Sequence, residues 1–309
     1  MQVSVVTAVY NTGREVLETM DSISKNAFES MEHLILDDAS TDDSVELIRG
    51  YIEAHCYACT LEVSPQNRGI AATRQALLER SRGTYYIGIS DDRMRPERLK
   101  RSVEWMDAHP HVGVLFGLAA MFEHGTERPL GLTRGWEGPV LPDGTIDSAL
   151  FARQLLHDNI LTAMTTTIRR EWLVRVGYDT SYLIEDYPLW FSLLKAGCKF
   201  AYVPEVWVDY RRTSNSVQIK QASRVALDSL RAKLILLDSG LVANEEVLRV
   251  CWRYYWSKIT DFETPHRRAA YGLLVQFTHH PVKAALRGFF DYSQHFLRKR
   301  LFPAHALPR

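Results

Sequence analysis

Short apolar runs and amphipathic segments alternate through the first 116 residues of the chain. Runs rich in β-branched and aromatic residues predict buried strands at 3–9, 33–36, 61–63, 85–89 and 112–116. Apolar residues at helical spacing predict helices at 14–26, 42–54, 69–81 and 96–108. Strands that alternate with helices are typical of an α/β fold, with a mostly parallel sheet covered by helices on both faces.

The pattern changes after residue 218, where only helical spacing continues. Apolar residues there predict helices at 222–238, 245–260 and 282–302. We therefore divide the chain into an α/β domain, 1–218, and a helical C-terminal region, 219–309. From residue 266 onward the sequence has eight Lys and Arg residues but one acid. The basic helix at 282–302 is suited to an anionic membrane surface, and packing on the first domain or on a second subunit is the alternative.

Composition and charge exclude several classes of protein. Lys and Arg together number 37, as do Asp and Glu, so the net charge of zero gives no reason to expect a nucleic-acid partner. Four cysteines in 309 residues do not make a disulfide scaffold. The N-terminus lacks the basic start of a signal peptide, and the longest apolar run, 112–122, is too short to span a bilayer. We expect a cytoplasmic protein, at most peripheral on the inner face of the membrane.

Polar clusters follow three of the predicted strands, at 10–11, 37–38 and 91–92. Ligands of parallel α/β sheets bind outside the carboxyl ends of the strands, so these clusters predict a ligand site. The chain contains neither the G-x-G-x-x-G fingerprint nor a P-loop, and it lacks the G-x-S-x-G nucleophile elbow. Without a glycine-rich phosphate cradle, a bound diphosphate needs another source of positive charge. Asp91 and Asp92 could supply it by holding a divalent metal ion.

Six segments, taken in order, match one family. They are 3–11 (VSVVTAVYN), 36–42 (LDDASTD), 67–71 (NRGIA), 83–87 (GTYYI), 177–190, which contains GYD and EDYPLW, and the YRR segment from residue 210. Together they resemble an inverting family 2 glycosyltransferase of the GT-A fold, over about residues 1–217. The resemblance implies a Rossmann-like, mostly parallel sheet flanked by helices.

The resemblance also implies an activity. It predicts transfer of a sugar from a nucleotide-diphosphate sugar to an acceptor hydroxyl, with inversion. A UDP-sugar is the favoured donor, and GDP-sugars stay open. Members of the family build surface polysaccharides and glycoconjugates, so the implied acceptor is a saccharide or a lipid-linked saccharide. By the same resemblance Ala8 and Tyr10 line the base pocket, Asp38 accepts a hydrogen bond from the uracil ring, and Arg68 contacts the base or a phosphate.

The metal motif departs from the usual Asp-x-Asp-Asp of the family. Ser90 replaces the first acid and Arg93 the last, and the Ser-Asp-Asp that results is similar to the Thr-Asp-Asp of the spore-coat polysaccharide branch. By analogy, Asp92 ligates Mn²⁺ or Mg²⁺, and Asp91 contacts the ribose or a metal-bound water. Arg93 then either weakens metal binding or stands in for part of the metal's charge.

Asp186 occupies the position of the family's catalytic base. The acceptor hydroxyl is a weak nucleophile that needs such a base as the new bond forms. The alternative is that Asp186 only caps the helix that follows it. Glu185 is expected to orient the acceptor or the Asp186 carboxylate, and Arg211 to lie in a polar loop that closes over the diphosphate. A surface acid and a solvated loop are the alternatives for these two residues.

Two other functions compete with this interpretation. A nucleotidyltransferase would need a glycine-rich basic loop after the first strand, and residues 10–14 supply one glycine. A catalytically degenerate module that binds a nucleotide or sugar would explain Ser90 and Arg93 as the remains of a lost metal motif. The sequence leaves the donor sugar, the acceptor, the linkage and the oligomeric state open.

Overall fold

A computed structural model describes residues 1–213, 217–278, 284–286, 288–289 and 292–293. The chain divides into two compact units, Met1–Ser214 and Asn215–Arg309. The sequence-based boundary, after residue 218, stays a prediction. Most of the predicted helix at 282–302 lies outside the described residues. Within the described ranges, no helix is both long enough and apolar enough to cross a membrane.

The first unit is built on a mixed sheet that contains nine described strands. These are β1 (Val3–Val9), β2 (Met31–Asp37), β3 (Thr60–Val63), β4 (Tyr85–Gly88), β5 (Arg93–Met94), β6 (Val114–Glu123), β7 (Pro129–Leu132), β8 (Thr167–Arg169) and β9 (Phe200–Arg212). Their order is β3-β2-β1-β4-β8-β6-β9-β5, and β7 pairs with β6. Strands β1 to β4 are parallel, β8 is antiparallel to both its neighbours, and β9 is parallel to β6.

Helices connect and cover these strands. Those of the first unit are α1 (Glu15–Ser24), α2 (Ser44–His55), α3 (Ile70–Arg80), α4 (Arg98–Ala108), α5 (Ser148–His157), α6 (Arg170–Val176) and α7 (Asp186–Lys195). The described helices of the second unit are α8 (Val217–Lys220), α9 (Ala222–Leu234), α10 (Asn244–Ser257) and α11 (Thr264–Gln276). The predicted mostly parallel sheet flanked by helices, followed by C-terminal helices, is confirmed.

Burial explains why the apolar runs form strands. All seven residues of β1 are buried, since the sheet is covered on both faces. Parallel pairing of β1 with β2 and β4 carries all three carboxyl ends to one edge. The pairing extends past the strands, because the N–H of Asp38 donates to the carbonyl of Val9 and that of Ile89 to the carbonyl of Val6. The predicted polar clusters therefore follow strands that end at one edge of the sheet.

Gly83 lies just before β4, at the end of the strand opposite to Asp91 and Asp92, where the chain packs closely against β1. A Cβ atom there would meet the backbone nitrogen of Ser4 and lie 2.6 Å from the carbonyl carbon of Val3. We expect Gly83→Ala to lower the free energy of unfolding by about 1–3 kcal/mol, because β1 cannot move away without breaking its pairing. The measurement is urea denaturation of the purified protein.

Gly50→Ala is the matched control for this substitution. Gly50 lies inside α2, and a Cβ atom there has nothing within 4 Å. Alanine at position 50 should raise the free energy of unfolding of the protein by about 0.5–1 kcal/mol, because alanine has a higher helix propensity than glycine. If both variants were equally stable, the close packing against β1 would be refuted.

Candidate functional site

Asp91 and Asp92 form an acid pair in the turn between β4 and β5, in which Asp92 is buried and Asp91 is partly exposed. The Asp92 side chain is almost completely buried, and its Oδ1 accepts a hydrogen bond from the backbone N–H of Arg211 at 2.8 Å. Burial, reinforced by the charge of Asp91, raises the pKa of Asp92 well above its usual range. Burial also raises the pKa of Asp91. The pair therefore lacks much of the solvation that two neighbouring carboxylates need.

The acid pair has the chemistry of a site for a hard divalent cation. Neither carboxylate takes part in an ion pair with a described residue, although each is desolvated. In the part of the chain that the structure describes, no group of three or more His, Cys, Asp or Glu side chains could enclose a metal ion. Mg²⁺ in nucleotide sites is commonly held by one or two carboxylates and completed by water and substrate phosphates. Asp91 and Asp92 fit that type of site.

The predicted position of Arg211 in a loop is wrong. Arg211 lies in β9, paired with Phe122 of β6, and its side chain is buried. Its Nε donates to the carbonyl oxygen of Asp91 at 3.0 Å, and its Nη2 donates to Glu18 at 2.5 Å. Pairing with β6 extends the strand through Arg212, which the polar sequence of this segment does not reveal. Arg211 therefore holds the turn that carries the acid pair.

Arg93 is neutralised by acids other than the pair beside it in sequence. Its guanidinium lies 2.6 Å from Glu18 and 2.7 Å from Glu127, and 4.7 Å from the centre of the Phe122 ring. The hydrogen bonds from Arg93 to Glu127 and Glu18 raise its pKa. Ser90 also has a partner, because its Oγ accepts from Nη2 of Arg74 at 3.0 Å. Both departures from the usual motif thus have a structural role.

Asp186 begins α7, where the helix N-terminus faces its carboxylate. The N–H of Tyr187 donates to Oδ1 at 2.7 Å, and Nδ2 of Asn159 donates to Oδ2 at 3.3 Å. Burial, with the negative charge of Glu185 adding to it, raises the pKa of Asp186 to about 7. A carboxyl group that titrates near neutral pH is suited to general-base catalysis. The helix-cap residue is Glu185, whose side chain makes no capping hydrogen bond.

Arg74, a buried arginine of α3, belongs to the site and was not predicted from the sequence. Its Nη1 donates to the carbonyl of Val6 at 3.2 Å, and its Nε lies 3.7 Å from the Glu185 carboxylate. A Cβ atom on Gly88 would lie 2.6 Å from Nη1, so glycine leaves room for the guanidinium beside β4. The feature of the sequence that could have indicated Arg74 is its place on the alanine-rich face of the predicted helix, which the structure shows to be buried.

A small pocket that opens to solvent joins these groups. Its lining combines charged and aromatic side chains: Arg74, Tyr86, Gly88, Ala163, Thr166, Ile168, Tyr178, Glu185, Asp186, Leu189 and Trp190. Since Arg74 also bonds Ser90, next to Asp91, it links this pocket to the segment of the acid pair. The structure thus connects two of the predicted parts of the site through a residue that was not predicted.

The residues predicted to bind the base lie at the same sheet edge. Ala8 is buried near the end of β1, while Tyr10 is 49% exposed. Asp38 is buried, and its carboxylate accepts from the backbone N–H groups of Arg68, at 3.0 and 3.1 Å, and Gly69, at 2.8 Å. Asp38 therefore orders the turn before α3. Contact of these residues with a nucleotide base stays a prediction.

Comparison with known sequences gives one matching family and many relatives. Residues 4–176 match the sequence model of Glycosyl transferase family 2. TuaG of Bacillus subtilis (strain 168), named as a teichuronic acid biosynthesis glycosyltransferase, is 28% identical over 70% of this chain and 81% of its own. WfaP of Escherichia coli, named as a UDP-Glc:α-D-GlcNAc-diphosphoundecaprenol β-1,3-glucosyltransferase, is 22% identical over 82% of this chain and 92% of its own.

Solved structures show the same fold at low sequence identity. Residues 1–349 of S. aureus TarS, in complex with UDP-GlcNAc, match with a TM-score of 0.69 and 15% identity, over 96% of this chain and 92% of theirs. The mannosyltransferase PcManGT from Pyrobaculum calidifontis, in complex with GDP-Man and Mn²⁺, matches with a TM-score of 0.57 and 17% identity, over 98% and 88%. Both likenesses concern the fold.

The raised pKa of Asp186 can be tested without substrate. Glu185→Gln removes the adjacent negative charge and should lower that pKa below about 7, while burial keeps it above the value of an exposed aspartate. The measurement is a ¹³C NMR titration of protein labelled at the aspartate carboxyl carbons, with Asp186→Asn used to assign the signal. Glu46→Gln, in α2, is the control and should leave the titration unchanged. A Glu185→Gln midpoint equal to that of the unmodified protein would contradict the assigned cause.

Proposed function

The chain belongs to glycosyl transferase family 2, and from that premise we propose that it transfers a sugar from a UDP-sugar to a hydroxyl group of a saccharide acceptor, with inversion. The observation that carries this proposal is Asp186, a carboxyl group with a raised pKa at a helix N-terminus, in one pocket with Glu185 and Arg74. An inverting transfer needs one base on the acceptor side, and the geometry provides a suitable one.

Asp186 acts as that base in the proposed mechanism. Its ionised carboxylate takes the proton of the acceptor hydroxyl as the oxygen attacks the anomeric carbon of the donor. The bond from that carbon to the diphosphate oxygen breaks, and the nucleoside diphosphate leaves. The N–H of Tyr187 and the amide of Asn159 hold the carboxylate in place for the transfer.

Asp92 and Asp91 would hold the divalent cation, Mn²⁺ or Mg²⁺. Bound there, the cation would supply positive charge to the leaving diphosphate. The desolvated acid pair supports this assignment, as does the Mn²⁺ in the PcManGT complex. Asp92 is the principal ligand in this proposal, and Asp91 contacts the ribose or a metal-bound water. The likeness of this motif to the spore-coat branch stays a resemblance of three residues.

Relatives support the choice of donor and acceptor. The TarS structure contains UDP-GlcNAc, and WfaP is named for a UDP-Glc donor and an undecaprenol-linked acceptor. We assign Ala8, Tyr10, Asp38 and Arg68 to the uridine side of the site. TuaG is named for teichuronic acid biosynthesis, so a surface polysaccharide is the proposed product. A lipid-linked acceptor agrees with the proposed contact of residues 282–302 with the cytoplasmic membrane surface.

Asp186→Asn should abolish transfer while leaving donor binding intact. Loss of a general base costs about 10²- to 10⁴-fold in rate, because asparagine cannot take the proton. The measurement combines transfer of radiolabelled sugar to a panel of saccharide acceptors with UDP affinity by calorimetry. Asp158→Asn is the control, since Asp158 is exposed and forms a surface ion pair with Arg134. Full activity of Asp186→Asn would overturn the assignment of the base.

The pH profile gives a second test of the same residue. The base must be ionised, so kcat/KM should rise with pH through about 7 and level off above it, and it should fall about tenfold per pH unit at more acid pH. A profile that is flat between pH 5 and pH 8 would contradict the raised pKa or the role of Asp186.

Nucleotide and metal can be tested together by thermal unfolding. UDP at about 100 times its dissociation constant should add about 2.7 kcal/mol of stability, and at a fixed UDP concentration the shift should be larger with Mn²⁺ than without it. Asp92→Ala should lose the metal-dependent part, whereas Asp209→Ala, in β9, should keep it. A larger shift with GDP or dTDP than with UDP would overturn the choice of donor. Absence of a shift with every nucleotide would overturn the proposed function.

A further inference from the structure

We propose that Glu18 is a positioning residue for the acid pair, and that it sets the cation affinity of Asp91 and Asp92 by holding Arg211 away from their carboxylates. This inference rests on the proposed function, because it concerns the cation that the acid pair would share with the donor. Glu18 lies in α1 and was not among the residues singled out in the sequence.

Glu18 is the counterion of a buried arginine. The Arg211 side chain is 3% exposed, and its Nη2 lies 2.5 Å from Oε2 of Glu18. Among the described residues, Glu18 is the carboxylate within ion-pair distance of that guanidinium. A buried cation that loses its partner is strongly destabilised and is drawn to the next negative charge. The strength of this pair therefore decides where the charge of Arg211 acts.

Arg211 in turn touches both residues of the acid pair. Its backbone N–H donates to the Asp92 carboxylate at 2.8 Å, and its Nε donates to the carbonyl oxygen of Asp91 at 3.0 Å. Thr19, next to Glu18 in α1, donates through Oγ1 to the carbonyl oxygen of Asp92 at 2.8 Å. The hydrogen bonds that hold the acid pair thus come from α1 and β9.

Arg93 fixes Glu18 from a second direction. Its Nε donates to the same Oε2 atom at 2.7 Å, and the guanidinium groups of Arg93 and Arg211 lie 4.7 and 5.0 Å from the centre of the Phe122 ring. Hydrogen bonds from two arginines hold Glu18 ionised and in one orientation. This gives a reason for an arginine at position 93, since an acid there would repel both Glu18 and Glu127.

Removing the charge of Glu18 should therefore weaken cation binding. Glu18→Gln keeps the shape but leaves Arg211 without its counterion, so the guanidinium turns towards Asp91 and Asp92 and competes with the cation. Loss of a residue that orients metal ligands typically costs about 10- to 100-fold in metal affinity. We expect the dissociation constant for Mn²⁺, measured at saturating UDP, to rise about tenfold.

The experiment is an Mn²⁺ titration of the full chain, with free Mn²⁺ followed by electron paramagnetic resonance. Glu127→Gln is the matched control: it removes a partner of Arg93, leaves Glu18 on Arg211, and should bind Mn²⁺ as the unmodified protein does. Glu18→Asp keeps the charge and should recover part of the affinity. UDP binding without metal should be the same in all four proteins, which a general loss of structure would not allow.

The possible results distinguish a failure of the role assigned to Glu18 from a failure of the proposed function. Equal Mn²⁺ affinity in the unmodified protein and Glu18→Gln would overturn the inference and leave the proposed function standing. Equal weakening in Glu127→Gln, or loss of metal-free UDP binding in Glu18→Gln, would overturn it as well, because the effect would not pass through Arg211. Absence of Mn²⁺ binding by the unmodified protein would overturn the proposed metal site and the inference together.

Discussion

Desolvation of two adjacent carboxylates just after β4 is the constraint around which the site is organised. Desolvation opposes the ionised form of both acids and raises both pKa values, and the charge of Asp91 raises that of Asp92 further. Arginines from three elements offset this cost: Arg74 of α3, Arg98 of α4 and Arg211 of β9. The charges of Arg74 and Arg211 lower the pKa of both acids, although burial dominates. Burial lowers the pKa of Arg98 to about 9, and the charge of Asp92 opposes that shift.

The mixed sheet is what brings these charges together. In a purely parallel series, the neighbour of β4 would be another parallel strand of a β-α unit. Here the neighbour is β8, which is antiparallel to both β4 and β6. Beyond β8, β6 and β9 pair in parallel as far as Glu123 and Arg212. Residues 119 positions apart in sequence then share a hydrogen bond, from the N–H of Arg211 to Asp92. The short strand β5 pairs with β9 immediately after the acid pair, which fixes the turn from its other side.

The local part of this architecture could be predicted from the sequence, and the non-local part could not. Strand and helix periodicity identified β1 to β4, the start of β6, and α1 to α4. Strands β7, β8 and β9 carry no comparable signal, because their conformation depends on partners far away in the chain. The same reason explains the errors in the site. Arg211 was expected in a loop because the segment is polar, and Arg74 was passed over because a helix pattern does not show what a buried arginine faces.

Glu185 separates the electrostatic environment of Asp186 from that of the acid pair, where arginines supply positive charge. Arg74 reaches towards the acid-pair segment through Ser90 and towards Asp186 through Glu185. An unpaired guanidinium in the pocket of Asp186 would favour the ionised carboxylate and lower its pKa, which would weaken it as a base. Glu185 pairs with that guanidinium and adds its own negative charge, which works with burial to raise the pKa of Asp186 to about 7. Arg74 thus brings positive charge to the segment of the acid pair, while Glu185 keeps the pKa of Asp186 raised, so substituting either residue should disturb both Asp186 and the acid pair.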